Sequence, residues 1–285
     1  MNVFTRHLLN EGHSLRLYDI DSMKSRVLAE RYHCPWHGSP TETVSGVDMA
    51  LLCTPIRVTP GVIRSIARNI QPGSILCEVS SLKMKTVAAL KGIGGNHVRP
   101  LAIHPMFGPD ISTIKDQTIV VVPVQDRAVE VALTEALFGD VKIVVTDAET
   151  HDRVMASVIS LPYFMNLAFA STISAEDLTL AREMAGSTFT VQMAVTQSIV
   201  GESSELLESL INEDAFSFGL VNRFIDDSRY LRRLLKKGPK PMENFCERLR
   251  KRMMDDVEYQ DVRKVRDAFL QSIRNQIIPI GNKPH

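Results

Sequence analysis

The chain has 285 residues, 44% of them hydrophobic, and is therefore long enough for two domains that each bury a core. Its 33 basic residues balance 33 acidic ones, which argues against partners such as nucleic acid or an anionic membrane. The four cysteines are scattered, as is typical of a reducing compartment and unlike a disulfide framework. We expect a cytoplasmic protein whose partners are small molecules.

No membrane segment is expected. The N-terminal residues lack the continuous apolar run of a signal peptide. The longest apolar stretch, residues 154–170, contains Pro162 and Asn166 and is shorter than the about 20 residues that a spanning helix needs. It predicts a buried helix of a soluble core.

The first half of the chain alternates short β-rich runs with helical patterns, which is typical of βαβ units and a parallel sheet covered on both faces. The predicted strands are residues 15–18, 47–53, 74–79, 99–103, 117–122 and 142–145. Predicted helices between them include residues 22–32, 60–69 and 126–137. The pattern predicts a doubly wound α/β, Rossmann-like domain over residues 1–146.

The second half has a different pattern. From residue 147 the β signal gives way to segments of helical periodicity at residues 147–174, 175–200, 203–210, 217–237 and 242–276. We expect an all-helical domain over residues 147–285. Its extensive apolar faces favour a homodimer.

The start of the chain differs from an ordinary dinucleotide-binding domain. Such a domain opens with a strand and a G-x-G-x-x-G turn, which lets the backbone approach the pyrophosphate of the cofactor. Here a helical pattern at residues 2–11 comes first, followed by Gly12 and the strand at 15–18. We expect that the first strand and its glycine turn are missing, and a start at an internal methionine is the simplest explanation.

Asp19 ends the strand at residues 15–18. A carboxylate at this position can accept hydrogen bonds from both ribose hydroxyls of NAD and disfavours the 2′-phosphate of NADP. An Asp after a strand is also a common helix cap, a role that Ser22 could share. The order of the strands favours the ribose role, so NAD is the expected cofactor and NADP the less favoured one.

Two further loops follow predicted strands. One carries Cys53, Thr54 and Pro55, and the other carries Ser80 and Ser81. Ligands of doubly wound sheets bind outside the carboxyl ends of the strands, so both loops are candidates for contact with the nicotinamide half of the cofactor. Ordinary roles stay equally open: a turn in the first loop and a helix N-cap in the second.

His104 leaves the strand at residues 99–103 and begins the segment HPMFGPD, residues 104–110. A histidine at the carboxyl edge, in a loop stiffened by two prolines, is well placed as an acid or base near neutral pH. A purely structural histidine is the alternative. His33 and His37 flank Cys34, but three residues without a fourth ligand make a weak metal site, and we expect no metal.

His151 and Asp152 open the first predicted helix of the second domain. They could contact a ligand near the domain cleft. We favour the simpler interpretation, in which a carboxylate at the start of the helix complements its dipole.

Three segments together carry a family resemblance. They are EVSSLK at residues 78–83, HPMFGPD at 104–110, and THDR at 150–153, the last followed by SLPYF. With them the chain resembles the prephenate and arogenate dehydrogenase family over nearly its whole length. The resemblance implies a dinucleotide-binding domain followed by a helical dimerisation domain. It also implies oxidative decarboxylation of prephenate to 4-hydroxyphenylpyruvate, with hydride transfer to NAD, in tyrosine biosynthesis.

The resemblance also implies roles for single residues. His104 would hydrogen-bond the ring hydroxyl of prephenate and take its proton as hydride leaves C4 for the nicotinamide. Ser81 and Lys83 match the family's S-x-K segment and would help to order the hydroxyl and the cofactor. Activity would fall as His104 becomes protonated.

Two positions depart from the family pattern on the substrate side. Tyr163 stands where many members have a second histidine, and it can still hold the substrate through a hydrogen bond. Gln197 or Ser198 stands where an arginine grips a prephenate carboxylate, so a bidentate charge partner is lost. The basic residues that could replace this arginine are Lys83, Arg153 and Arg182, and the sequence does not choose among them.

Arogenate, which has an amine where prephenate has a keto group, stays open as a variant substrate. Two other functions also stay open. One is a related hydroxyacid or imine dehydrogenase whose substrate lacks the ring carboxylate, which the missing arginine would permit. The other is a noncatalytic dimeric module that has lost nucleotide binding. The segment HPMFGPD argues against the first, and the presence of His104, Ser81 and Lys83 argues against the second.

Overall fold

A computed structural model of the chain describes residues 2–93, 98–109, 111–253 and 262–276. The chain forms two compact units. The first comprises Met1–Ser160 with Ser204–Phe218, and the second comprises Leu161–Ser203 with Gly219–His285. These units are interleaved along the chain, and the predicted domain boundary between residues 146 and 147 stays a prediction.

The first unit is built on a five-stranded sheet in the order β1-β2-β3-β4-β5. The strands are β1 Met49–Leu52, β2 Ile75–Glu78, β3 Arg99–Pro105, β4 Thr118–Val121 and β5 Lys142–Val145. Strands β1, β2 and β3 pair in parallel, and so do β4 and β5, but β3 and β4 are antiparallel. The Rossmann-like α/β class is confirmed, while the expectation of an entirely parallel sheet is wrong. The described residues between β3 and β4 contain no crossover helix, and without one the chain can only return antiparallel.

The strand predicted at residues 15–18 is not formed. Only Leu17 forms an isolated parallel bridge, with Trp36. The Leu17 N–H donates to the carbonyl oxygen of Pro35, and the His37 N–H donates to that of Leu17. Extending this ladder toward Leu15 would require an N–H donor at Pro35, and proline has none.

Fourteen helices are named in chain order among the described residues. They are α1 Asn2–Asn10, α2 Ser22–Tyr32, α3 Pro40–Val44, α4 Thr59–Ile66, α5 Met84–Gly92, α6 Arg127–Phe138, α7 Ala148–Met155, α8 Leu161–Ile173, α9 Leu178–Glu183, α10 Ser187–Val200, α11 Ser204–Asn212, α12 Ala215–Leu235, α13 Pro239–Met253 and α14 Val262–Gln276. A 3-10 turn, Ala67–Asn69, follows α4. The helices predicted at 22–32, 60–69 and 126–137 are confirmed, and the mainly helical second half is confirmed as well.

Helices cover both faces of the sheet, as the alternating pattern predicted. On one face, side chains of β1 to β4 pack with residues of α4 and α5 such as Ile63, Ile66 and Leu90. On the other face, the intervening strand residues pack with Val3 and Phe4 of α1 and with Phe138 of α6. Successive strand residues point to opposite faces. The face that carries α4 and α5 therefore also receives the side chains of Ala102 and His104.

The long apolar segment differs from its expectation. Helices α7 and α8 are joined by a π-helical turn, Ala156–Ser160, into one helix over Ala148–Ile173. This helix has 26 residues, and 22% of its most apolar window is buried within the chain. It is longer and more exposed than the buried core helix predicted at 154–170. Within the described residues it is the one helix long and apolar enough to cross a membrane, a test that core helices of soluble proteins also pass. The π turn precedes Pro162, which has no N–H for the carbonyl of Val158.

Candidate functional site

His104 is the centre of the candidate site. It lies near the carboxyl end of β3, and 4% of its surface is exposed. Its Nδ1 lies 3.0 Å from Nε2 of His151, and the two rings meet edge to face with their centroids 5.1 Å apart. The strand therefore brings the predicted base into contact with a second histidine from α7.

His151 and Asp152 lie in the interior of the first unit, where both are almost fully buried. Nδ1 of His151 is 2.7 Å from Oδ1 of Asp152. The same carboxylate accepts the backbone N–H of Lys83 at 2.7 Å and that of Met84 at 2.9 Å, which are the first donors of α5. The sequence interpretation of Asp152 as a carboxylate serving its own helix is wrong, because α7 is capped by Asp147 and Asp152 caps α5.

Lys83 lies beside His104 without any exposed side-chain surface. Its ammonium pairs with Oε1 of Glu78 at 2.7 Å and donates to the carbonyl oxygen of Ile103, the residue before His104. Glu78 also accepts the hydroxyl of Thr86 at 3.0 Å and the backbone N–H of Ser80 at 2.9 Å. Buried charges are tolerated when they are paired and hydrogen-bonded in this way. As placed, Lys83 supports the strand under His104 and does not reach solvent.

The surroundings keep the His104 imidazole neutral. Burial lowers its pKa well below the ordinary value of 6.5, and the positive charge of Lys83 and the ring of His151 lower it further. Burial also lowers the pKa of Lys83, an effect that the carboxylate of Glu78 opposes. A neutral imidazole can accept a proton near neutral pH, as a general base must.

The loops after β1 and β2 lie side by side at the carboxyl edge of the sheet, since the Val79 N–H donates to the carbonyl oxygen of Leu52. This edge brings together Cys53, Thr54 and Ser80. Burial raises the pKa of the Cys53 thiol, so this thiol is neutral. The Thr54 hydroxyl lies 2.8 Å from that of Thr59 in α4.

Ser80 provides a free polar group at the same edge. Its hydroxyl oxygen is buried and has no hydrogen-bond partner among the described residues. An unpaired buried hydroxyl is costly unless a ligand or water completes it. Ser81 next to it is half-buried, and Pro55 in the neighbouring loop is exposed.

Asp19 follows the single bridge residue Leu17 and is half-buried. Its Oδ1 accepts the backbone N–H of Asp21 at 2.9 Å. The N-cap of α2 is Asp21, which accepts the N–H of Met23, so neither Asp19 nor Ser22 has the capping role that the sequence left open. The ribose role of Asp19 stays a prediction.

The predicted substrate residues belong to the second unit. Tyr163 in α8 is half-buried, and burial, followed by the charge of Glu202, raises the pKa of its phenol, which stays protonated as a hydrogen-bond donor. Gln197 in α10 and Arg182 in α9 are exposed. Their contact with a substrate stays a prediction.

Arg153 is less suited to replace the missing arginine. It belongs to the first unit, and its guanidinium pairs with Glu149 and stacks 4.8 Å from the ring centre of Phe216. Asp110, the last residue of the motif HPMFGPD, lies outside the described residues.

Sequence reasoning did not assign Glu78, His151 and Asp152 to the site. All three stand inside segments that carried the family resemblance, EVSSLK and THDR. Their position within these segments was the sequence signal that could have identified them. Nothing in the local pattern shows that the two segments meet beneath His104, because the contact between Lys83 and Asp152 joins residues 69 positions apart.

Comparison with known proteins agrees with the motifs. The family model described as "Prephenate dehydrogenase, nucleotide-binding domain" matches residues 4–147. The "Probable arogenate/prephenate dehydrogenase" of Methanocaldococcus jannaschii is 22% identical over 210 residues, which are 71% of this chain and 47% of that protein. The cyclohexadienyl dehydrogenase of Zymomonas mobilis is 23% identical over 229 residues, 74% of this chain and 76% of that protein. The chain spans about half the length of the first relative and 53% of the T-protein of Enterobacter agglomerans.

Solved structures share the fold. The prephenate dehydrogenase of Aquifex aeolicus superimposes with a TM-score of 0.70 at 15% identity, over 90% of this chain and 95% of that one. The arogenate dehydrogenase of Synechocystis gives a TM-score of 0.63 at 18% identity, over 94% and 95% of the two chains. The matched segment covers about half of the chain and includes the sheet that carries His104. The chain therefore belongs to the prephenate dehydrogenase family.

Proposed function

We propose that this protein is an NAD-dependent prephenate dehydrogenase of tyrosine biosynthesis that converts prephenate to 4-hydroxyphenylpyruvate, with His104 as the catalytic base. The observation that carries the proposal is a buried, neutral histidine at the carboxyl end of a central strand, in a chain of this family. Ligands of doubly wound sheets bind at that edge. We further propose that the protein acts in the cytoplasm as a homodimer, without nucleic acid or membrane partners.

In the proposed reaction, His104 accepts one proton and later returns it. Its imidazole nitrogen accepts the proton of the ring hydroxyl while the C4–H bond breaks, and the carbon–oxygen bond gains double-bond character. The bond to the ring carboxylate then breaks, carbon dioxide leaves, and its electron pair completes the aromatic ring. The proton returns from His104 to the oxygen, which gives a phenol. No net proton is consumed, and a base that is neutral near pH 7 suits this cycle.

NAD, when bound, supplies the acceptor for the hydride. Its fit to the chain rests on the buried Ser80 hydroxyl, which has no hydrogen-bond partner in the described part of the chain and could complete its hydrogen bonding with the nicotinamide half. Cys53, Thr54 and Pro55 would form the adjoining wall. Asp19 would accept the ribose hydroxyls, and its negative charge favours NAD over NADP.

The motif residues Ser81 and Lys83 take different parts. Ser81 is half-buried, so its hydroxyl can order the ring hydroxyl of the substrate. Lys83 has no exposed surface and acts through the strand, by holding the carbonyl of Ile103 and by lowering the pKa of His104. Lys83 is therefore a positioning residue in this proposal.

Tyr163 and Gln197 are the proposed substrate-binding residues. The Tyr163 phenol would donate a hydrogen bond to the substrate, and Gln197 would offer its amide to a carboxylate. An amide lacks the charge of a guanidinium, so we expect a weaker hold on prephenate than an arginine provides.

The test is NADH formation at 340 nm with prephenate and NAD, compared with arogenate and with NADP. His104→Asn should lower kcat by about 10²- to 10⁴-fold, the usual contribution of a general base. His13→Asn, the same change at an exposed histidine, is the matched control and should retain activity. Turnover of arogenate alone would reassign the substrate. If neither compound is oxidised while NAD binds, or if His104→Asn keeps full activity, the proposal is wrong.

A further inference from the structure

We propose that Asp152 and His151 form a relay that holds His104 in the tautomer with the proton on Nδ1, so that Nε2 is free to act as the base. The inference rests on the proposed function of His104. It assigns a task to two buried side chains that sequence analysis treated as the start of a helix. Both are positioning residues, because they act through His104.

The contact with Asp152 determines which ring nitrogen of His151 carries the proton. The Asp152 carboxylate is an acceptor, and it already receives two backbone N–H groups at the start of α5. Its Oδ1 lies 2.7 Å from Nδ1 of His151, a distance that requires a donor on one side. The donor is therefore the N–H at Nδ1 of His151.

The tautomer of His151 in turn determines the tautomer of His104. A neutral imidazole with its proton on Nδ1 carries a lone pair on Nε2. Nε2 of neutral His151 faces Nδ1 of His104 at 3.0 Å, so Nδ1 of His104 is the donor. The lone pair of His104 is then on Nε2, the ring nitrogen not occupied by this contact. A protonated His151 would reverse this hydrogen bond.

A change at Asp152 would alter the tautomer of His104. In the Ser-His-Asp triad a buried carboxylate selects the histidine tautomer in the same way, and exchanging that carboxylate for an amide leaves the geometry but supplies the wrong tautomer. An amide at position 152 that turns its NH2 group toward His151 would donate to Nδ1 of His151 and would lose the hydrogen bond from the Lys83 N–H. His151 would then carry its proton on Nε2, and His104 would be forced to hold its own proton on Nε2.

Asp152 also connects His104 with Lys83, the residue that supports the end of its strand. Asp152 caps α5, and the residue at that cap is Lys83, whose ammonium holds the carbonyl before His104. The same carboxylate therefore orients the base through His151 and anchors the helix start that carries Lys83. The contacts that hold this tautomer lie within the protein, so we expect it in the free chain without substrate or cofactor.

The experiment measures histidine tautomers by nitrogen-15 NMR in the free full chain labelled at histidine, with the His104 signals identified by their loss in His104→Asn. In the native chain we expect a protonated Nδ1 and a bare Nε2 on His104. Asp152→Asn should move the proton of His104 to Nε2. Asp147→Asn, the same change at the exposed N-cap of the same helix, should leave the tautomer unchanged.

Two changes at His151 cover the case in which Asp152→Asn does not fold. His151→Gln keeps an acceptor oxygen for Nδ1 of His104 and should retain the native tautomer. His151→Phe removes the acceptor, so the proton of His104 should no longer be held on Nδ1. In the activity assay Asp152→Asn should lower kcat by about 10²-fold or more, with a much smaller change in KM.

The outcomes separate the relay from the proposed function. A native chain with the His104 proton on Nε2, or an unchanged tautomer in both Asp152→Asn and His151→Phe, would overturn the relay. The expected tautomers in a chain that does not oxidise prephenate would support the relay and reject the proposed function. Expected tautomers together with the loss of kcat support both.

Discussion

His104 is the residue that we propose as the base, and burial and charge act on its pKa in the same direction. Desolvation disfavours its protonated form, and Lys83 adds a positive charge beside it. Lys83 itself remains paired with Glu78 in the interior. A histidine on the surface of the sheet would instead titrate near 6.5 and lose its basic form in mildly acidic solution.

The lowered pKa of His104 predicts an unusual pH dependence of catalysis. The free base must be neutral, so kcat/KM should fall only when the pH drops through the folded pKa of His104, below 6.5. The measurement is a pH profile of kcat/KM for the native chain. An acid limb centred at or above 6.5 would contradict the assignment.

The free energy of unfolding should also depend on the protonation of His104. The unfolded chain binds a proton on this histidine near pH 6.5, while the folded chain binds it only at lower pH. The free energy of unfolding should therefore decrease as the pH falls below 6.5 and level off below the folded pKa. His104→Asn should flatten this part of the urea-denaturation profile.

At the scale of helices, buried polar contacts decide how neighbouring elements are aligned. Asp152 of α7 fixes the start of α5 in the first unit. In the second unit, Asn166 of α8 accepts the Gln192 amide at 2.8 Å and the Thr196 hydroxyl at 2.7 Å, both from α10. Apolar faces alone would permit several alignments, whereas these hydrogen bonds specify one.

The α8 and α10 contact gives a prediction about stability. Asn166→Ala would leave the buried Thr196 hydroxyl and the Gln192 amide without this partner and should lower the free energy of unfolding by about 1–3 kcal/mol. Urea denaturation followed by circular dichroism measures the change. Thr172→Ala is the matched control, since this exposed residue of α8 donates to the carbonyl oxygen of Ala168 within its own helix. Equal losses in both variants would show that the interhelical network contributes nothing.

At the scale of the whole molecule, the carboxyl edge of the sheet gathers groups from separate parts of the chain. The ends of β1, β2 and β3 bring Cys53, Ser80 and His104 to one edge because these three strands are parallel and adjacent. The antiparallel return of β4 leaves that edge intact. A ligand bound there would contact loops that the unfolded chain keeps apart, so its binding energy would add to folding stability.

This coupling predicts the behaviour of the cofactor in a thermal-shift measurement. NAD at about 100 times its Kd should stabilise the chain by about 2.7 kcal/mol and raise Tm, and NADP should raise it less at the same concentration. Asp19→Asn should reduce the difference between the two cofactors, because the charge that disfavours the 2′-phosphate is removed. Asp48→Asn, at the opposite end of β1, is the control. Equal shifts with NAD and NADP in the native chain would argue against the role of Asp19.

Several features were determined by the sequence alone, because they depend on local periodicity and on short motifs. Alternating apolar runs located five strands and the helices on both faces, and the transition near residue 147 located the helical half. The sequence indicated His104 as a candidate because a predicted strand runs directly into a proline-bounded loop. The segments EVSSLK and THDR were identified, and the resemblance gave roles to Ser81 and Lys83, but Glu78, His151 and Asp152 were not assigned to the site.

The tertiary structure alone decided how these segments combine. The sheet is mixed because the residues after β3 form no described crossover helix, and the strand at 15–18 is reduced to one bridge because Pro35 lacks a donor. Lys83 proved to be fully buried, and Asp152 proved to cap α5 rather than α7. His151 meets His104 across 47 residues of chain. Hydrogen bonds and burial at such separations depend on chain folding in space, and no local sequence pattern encodes them.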